Sequence, residues 1–147
     1  MRDRESSSEK RRVDKDLIEI GEGRTRIRVT FEEAGKDLVV ICTGGTVPHI
    51  GAVAIGVPIP RRNDPSSHRG SVSVLTIPPH REDLIVRPAA EKLVSALVKT
   101  TVVVAGIHLD NPSPQELQQI LENCDKGMNR IIEKFVNSKK DLSTSKS

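Results

Sequence analysis

Residues 100–116 read Thr-Thr-Val-Val-Val-Ala-Gly-Ile-His-Leu-Asp-Asn-Pro-Ser-Pro-Gln-Glu. The first eight are an almost unbroken apolar, β-branched run. Such a run predicts a strand over 100–107 that lies inside the sheet. Ser113-Pro114-Gln115-Glu116 is a capping box with proline in the first helical turn. Leu117, Ile120, Leu121, Cys124, Met128, Ile131, Ile132 and Phe135 then recur every three or four residues. This predicts one long amphipathic helix over about 114–137. A buried strand running into a capped helix therefore organises the C-terminal third of the chain.

Upstream of it, a helix is expected between Asp83 and Lys99, with Leu84, Ala89, Leu93, Ala96 and Leu97 on one face. Pro88 should either sit near its start or kink it. Earlier still, the period is two. Arg24–Phe31 alternates polar and apolar, placing Ile27, Val29 and Phe31 on one face of a strand. Leu38–Cys42 is an apolar strand, joined to it by the turn 32–37. Ile50–Ile59 and Ser71–Ile77 read as two further strands, and Pro60–Gly70 between them as a long polar loop. Strands followed by helices predict an α+β two-layer sandwich. The expected sheet is mostly antiparallel, of about five to six strands, with two C-terminal helices packed on one face.

The chain has 147 residues, enough for one domain with a real core. Residues 1–16 carry six Lys/Arg and five Asp/Glu, and 137–147 carry three Lys and one Asp. These two ends account for the whole net charge of +3. They are expected to be disordered tails over 1–16 and 138–147, flanking a single domain over 17–137. A near-neutral domain lacks the basic patch that tracks phosphates, and two phenylalanines with no Trp or Tyr give no stacking platform. Nucleic acid is thus excluded as a partner. No apolar run approaches 18 residues and no signal-peptide pattern is present, so no membrane span is expected and the protein is read as cytoplasmic. Cys42 and Cys124 lie in apolar segments outside any Cys-x-x-Cys pair and should be buried, reduced thiols.

Three of the four histidines fall where strands end. His49 follows Gly44-Gly45 and precedes Gly51, His80 follows Pro78-Pro79, and His108 follows Gly106. Strand ends of open α/β sheets are where ligands bind. Gly44-Gly45 offers bare backbone N–H groups to an anion, although a Gly pair also serves simply as a turn. Glu82 and Asp83 complement a helix N-terminus, which accounts for the acids but not for His80. His108 and Asp110 stand two apart, so in extended chain they point the same way, as an imidazole oriented by a carboxylate does. Alternatively Asp110 or Asn111 makes a turn and His108 is a satisfied core residue. Three histidines and a carboxylate can also hold a divalent metal, but no helical i, i+3 or i+4 spacing supports it and no residue is assigned as a ligand. His68, in the polar segment, is expected to be solvated. No dinucleotide, Walker or nucleophile-elbow motif is present.

Thr43-Gly44-Gly45-x-x-Pro48-His49-Ile50-Gly51-Ala52-Val53, then His80-x-x-Asp83 before a helix, then Val104-Ala105-Gly106-Ile107-His108-Leu109-Asp110-Asn111 before a Gln/Leu/Ile-rich helix, together resemble the prenylated-flavin chaperones of the LpdD-like type. The resemblance spans about residues 24–135. It implies a non-enzymatic protein that holds or delivers prenylated FMN, or FMN, to a UbiD-type decarboxylase. It also implies a flavin site with Gly44, Gly45, His49 and Gly51 on one wall, His80 and Asp83 on a second, and His108, Asp110 and Asn111 on a third. No aromatic lies in these segments, so aliphatic side chains would have to sandwich the ring. The competing readings are a small His/Asp-site metal enzyme and a protein-assembly chaperone that docks through the sheet or the long helix. A homodimer through an exposed sheet edge or face is a further expectation.

Overall fold

The computed structural model describes residues 17–146. The tail expected over 1–16 lies outside the described residues. Six strands form one sheet: β1 (Leu17–Ile20), β2 (Ile27–Ala34), β3 (Asp37–Gly45), β4 (Ala52–Arg61), β5 (Asp64–Thr76) and β6 (Thr101–His108). Their order is β1-β2-β3-β6-β4-β5. Only β3 and β6 run parallel, while every other neighbouring pair is antiparallel. The apolar 100–107 run thus sits between two strands, as its composition predicts. Helices α1 (Asp83–Leu97) and α2 (Pro114–Thr144) lie side by side on one face. The fold is α+β.

Period-two alternation sends Ile27, Val29, Leu38, Val40, Cys42, Ala52, Ala54, Val103 and Ala105 to the helix-covered face, all essentially inaccessible. Val86, Leu93, Met128 and Ile131 meet them from the helices. The opposite face is uncovered. There the central strands present Val39, Val53, Val102 and Val104, half-buried by one another, and the exposed Ile41, Ile55, Val57 and Leu75.

Three details differ from the sequence expectations. The 60–70 segment is not a loop, because β4 and β5 continue through it as a hairpin turning at Arg62-Asn63. Pairing of β4 with β6 ends at Gly56. Beyond it the hairpin is a two-stranded ribbon with free edges, where Pro58 and Pro60 cost no ladder bond to a third strand. The Asp64 carboxylate accepts the Ser66 N–H at 3.2 Å and steadies the turn. Secondly, α1 starts at Asp83 and runs through Pro88. Thirdly, α2 does not stop at Asn137 but continues to Thr144, so residues 138–144 are solvent-facing helix rather than tail. No glycine or proline follows Gly127 to end it. The capping box is formed as read: Ser113 Oγ accepts the Glu116 N–H and Glu116 Oε1 accepts the Ser113 N–H, both at 3.1 Å.

Candidate functional site

The site lies at the end of the sheet where the parallel strands β3 and β6 both finish. Gly45 stands opposite His108 there. Gly45 takes a left-handed φ of +74°, and a Cβ on it would overlap the His108 carbonyl. Two requirements, one conformational and one steric, therefore select glycine. The Thr46 N–H donates to the same carbonyl at 2.8 Å. The chain then crosses β6 to enter β4, and the Gly51 N–H donates to Ala105 O at 2.8 Å. This crossing presses the His49 carbonyl onto Gly106, where any Cβ would overlap it.

These close approaches bring the three histidines together. The His49 and His80 rings are 4.3 Å apart between centroids, and those of His49 and His108 are 6.3 Å apart. His49 Nδ1 lies 3.1 Å from the Val47 carbonyl. Its Nε2 lies 3.0 Å from Glu82 Oε1. Glu82 is 6 % exposed, unusually low for a carboxylate. Its Oε1 accepts the Ile107 N–H at 3.3 Å, and Oε2 has no hydrogen-bond partner among the described residues. A Cβ at Gly51 would collide with that carboxylate, so Gly51 is the space in which it sits.

His108 and Asp110 pair as their spacing predicts, Nε2 to Oδ1 at 3.0 Å, on the solvent side of the site. Arg24 braces this corner, donating from Nη2 to Asp110 O and from Nε to Glu116 Oε2, both at 2.8 Å. Asn111 supplies the turn with a left-handed φ of 46°, a conformation that Asn tolerates better than most residues. The Glu116 carboxyl is held below its usual range, mainly by the Ser113 backbone N–H and further by the Arg24 charge.

Beside the histidines a cavity of about 520 Å³ opens between the sheet end and the two helix starts. His80, Glu82 and His108 form part of its wall, and Arg81 is also at its margin. The rest is aliphatic, chiefly Leu84, Ile85, Ile107, Leu117, Ile120 and Leu121. Such a volume with apolar walls and a few convergent polar groups suits a small organic ligand.

Of the residues singled out in the sequence, His49, His80, His108 and Asp110 gather at this end, with Gly44, Gly45, Gly51 and Asn111 shaping the backbone. Asp83 does not join them. Its Oδ1 is 3.6 Å from Arg81 Nε at the start of α1, and it lines no part of the cavity. Glu82, its neighbour, is the buried acid of the site, and α1 receives no side-chain cap from it. Gly106, like Glu82, is not among the residues that the sequence assigns to the site. Leu84 and Leu117, read as core positions, are about half exposed and face the cavity. A stripe wider than a sheet contact needs was the available signal for them.

Fold and site together define a class: a small α+β domain with an aliphatic cavity edged by histidines at one end of its sheet. The chain belongs to the prenylated flavin chaperone LpdD-like domain family, whose model matches residues 21–136. No curated protein matches the chain. Among solved structures, a chaperone complex for yeast 20S proteasome assembly is similar at 13% identity and a TM-score of 0.48, covering 79% of this chain and 96% of that one. Among the described residues no helix is long and apolar enough to cross a membrane.

Proposed function

We propose that the protein is a non-enzymatic flavin chaperone that holds prenylated FMN and passes it to a UbiD-type decarboxylase. The observation that carries this reading is the aliphatic cavity of about 520 Å³ beside His80 and His108, in a chain of this family. The residues present fit a flavin. Ile85, Ile107, Ile120 and Leu121 offer flat apolar contact to a ring system, in place of the aromatics the chain lacks. His80 and Arg81 at the wall offer N–H donors to carbonyl or phosphate oxygens. The His108–Asp110 pair fixes the ring of His108, so that one polar group is oriented before the ligand arrives. Bound prenylated flavin would be the cargo, and the protein's part is to bind, orient and shield it.

The test is a thermal-shift titration with FMN and with reduced prenylated FMN, repeated on His108→Ala. A cargo present at a hundredfold excess over its Kd adds about 2.7 kcal/mol to stability. The expected result is stabilisation by the flavin that weakens in the variant. An unchanged melting temperature with both flavins would overturn the reading. Delivery is then read by activation of apo-decarboxylase with flavin presented on the protein.

A further inference from the structure

We propose that His49, His80 and Glu82 form a binding site for one divalent transition-metal ion of the Zn²⁺ or Fe²⁺ class. The inference starts from the His49 ring. The Val47 carbonyl can only accept, so Nδ1 at 3.1 Å from it carries the ring proton. The other ring nitrogen, Nε2, faces Glu82 Oε1, 3.0 Å away. An imidazole nitrogen and a carboxylate oxygen at that separation share a proton or a cation. Nε2 makes no hydrogen bond of good geometry among the described residues. Glu82 Oε2 is equally without a partner, although the side chain is only 7 % exposed. A buried carboxylate in this condition is costly unless paired or metal-bound.

His80 completes the set. Ligand atoms of His49, His80 and Glu82 all lie within 4.8 Å of one another. A tetrahedral ion with bonds near 2.1 Å spaces its ligands by about 3.4 Å. Reaching that spacing requires the half-buried His80, on its turn before α1, to rotate toward the other two. The bond from His49 Nδ1 to a backbone carbonyl is the outer-shell contact that metal-bound histidines usually have. Two imidazoles and one carboxylate suit Zn²⁺ or Fe²⁺, whereas Ca²⁺ and Mg²⁺ prefer oxygen throughout. Three protein ligands leave open positions. His80 and Glu82 both border the cavity, so those positions face whatever occupies it. The ion would thus present positive charge to an oxygen or anionic group of the cavity ligand. His108, committed to Asp110, is not needed as a ligand.

The site shares its end of the sheet with the flavin reading but does not rest on it, because metal uptake is read without flavin. The experiment strips the full chain with chelator, adds Co²⁺, and follows the visible d–d bands alongside metal content per chain. The wild type and His108→Ala should each take up one equivalent. His49→Ala and Glu82→Gln should lose at least about tenfold in affinity, the scale seen even for outer-shell changes. Removing Glu82 from a buried position risks the fold, so His80→Ala is the deciding variant. Its circular dichroism should be unchanged while its Co²⁺ bands are lost. Wild type without d–d bands, or His80→Ala with undiminished ones, would overturn the proposal. His68→Ala, on the β4–β5 ribbon, should bind as wild type; loss of uptake there instead would also overturn it. Flavin binding by stripped protein that takes up no Co²⁺ would sink the metal site and leave the flavin reading standing.

Discussion

Replacing Gly106 by alanine separates two physical accounts of the same position. Gly106 is a strand residue without positive φ. By backbone propensity alone, alanine there should stabilise by roughly 0.5–1 kcal/mol, since glycine loses more freedom on folding. The packing says the reverse. An added methyl would overlap the His49 carbonyl, with Ile50 N also only 3.0 Å away. Neither side can give easily. β6 is paired with β3 on one side, and the crossing segment is tied to β6 by the Gly51–Ala105 hydrogen bond and to the residue just after β5 by the bond from Ile77 N–H to Gly51 O. Overpacking in such settings costs about 1–3 kcal/mol. Set against the propensity gain, the net is a loss of up to about 2.5 kcal/mol. With a urea m-value of about 2 kcal/mol/M, the midpoint should fall by up to about 1.2 M. Gly70→Ala in β5 is the control, because its nearest atoms lie at 3.4 Å or beyond; it should be neutral or slightly stabilising. The His49 ring resonances should shift in the first variant and not in the second. A Gly106→Ala protein more stable than wild type would refute the close crossing, and with it the geometry assigned to His49.

Other outcomes follow from single contacts. Cys42 and Cys124 are buried with their sulfurs 3.6 Å apart, and the Cys124 thiol is pushed far above its ordinary value by its hydrogen bond with Cys42 and by burial. Neither thiol should react with an aromatic disulfide reagent at neutral pH until denaturant is added, when both should; prompt reaction of the native protein would contradict their placement. Glu116, with its carboxyl pKa depressed below 4.5, favours the folded state above its unfolded pKa and loses that contribution as pH falls through the folded one. Glu116→Gln should therefore flatten the acid limb of the stability–pH curve, measured by urea titration at successive pH values, and an unaltered limb would count against the capping box.

What could be read in the chain depended on whether the cause was local. The capping box, the 100–107 strand and the His108–Asp110 pair are set by residues a few positions apart, and the structure has all three. The β4–β5 ribbon escaped notice because it buries little, so its inner and outer positions carry no contrast in polarity. β1, with four residues, is too short to show a period before Ile18 and Ile20 find β2 and α2. Glu82 is the instructive case. An acid beside a helix start has a sufficient local explanation, and Asp83 next to it looked equally suitable. What buries Glu82 is the absence of side chains at Gly51 and the backbone N–H of Ile107, both far away in sequence.

The position of β6 has a consequence for how the molecule comes to exist. β1–β3 and β4–β5 are each made from neighbouring stretches of chain, yet they do not touch as partners; β6, written after both and after α1, lies between them. Leu38 must wait for Thr101, and Ala52 for Ala105. During synthesis the two halves can form early, but the seam closes only once residue 108 has cleared the ribosome. Pairings this distant in sequence slow folding. His108 ends β6 and His49 lies in the segment that crosses it, so a chain in which the last strand has not been inserted cannot bring the histidine rings together.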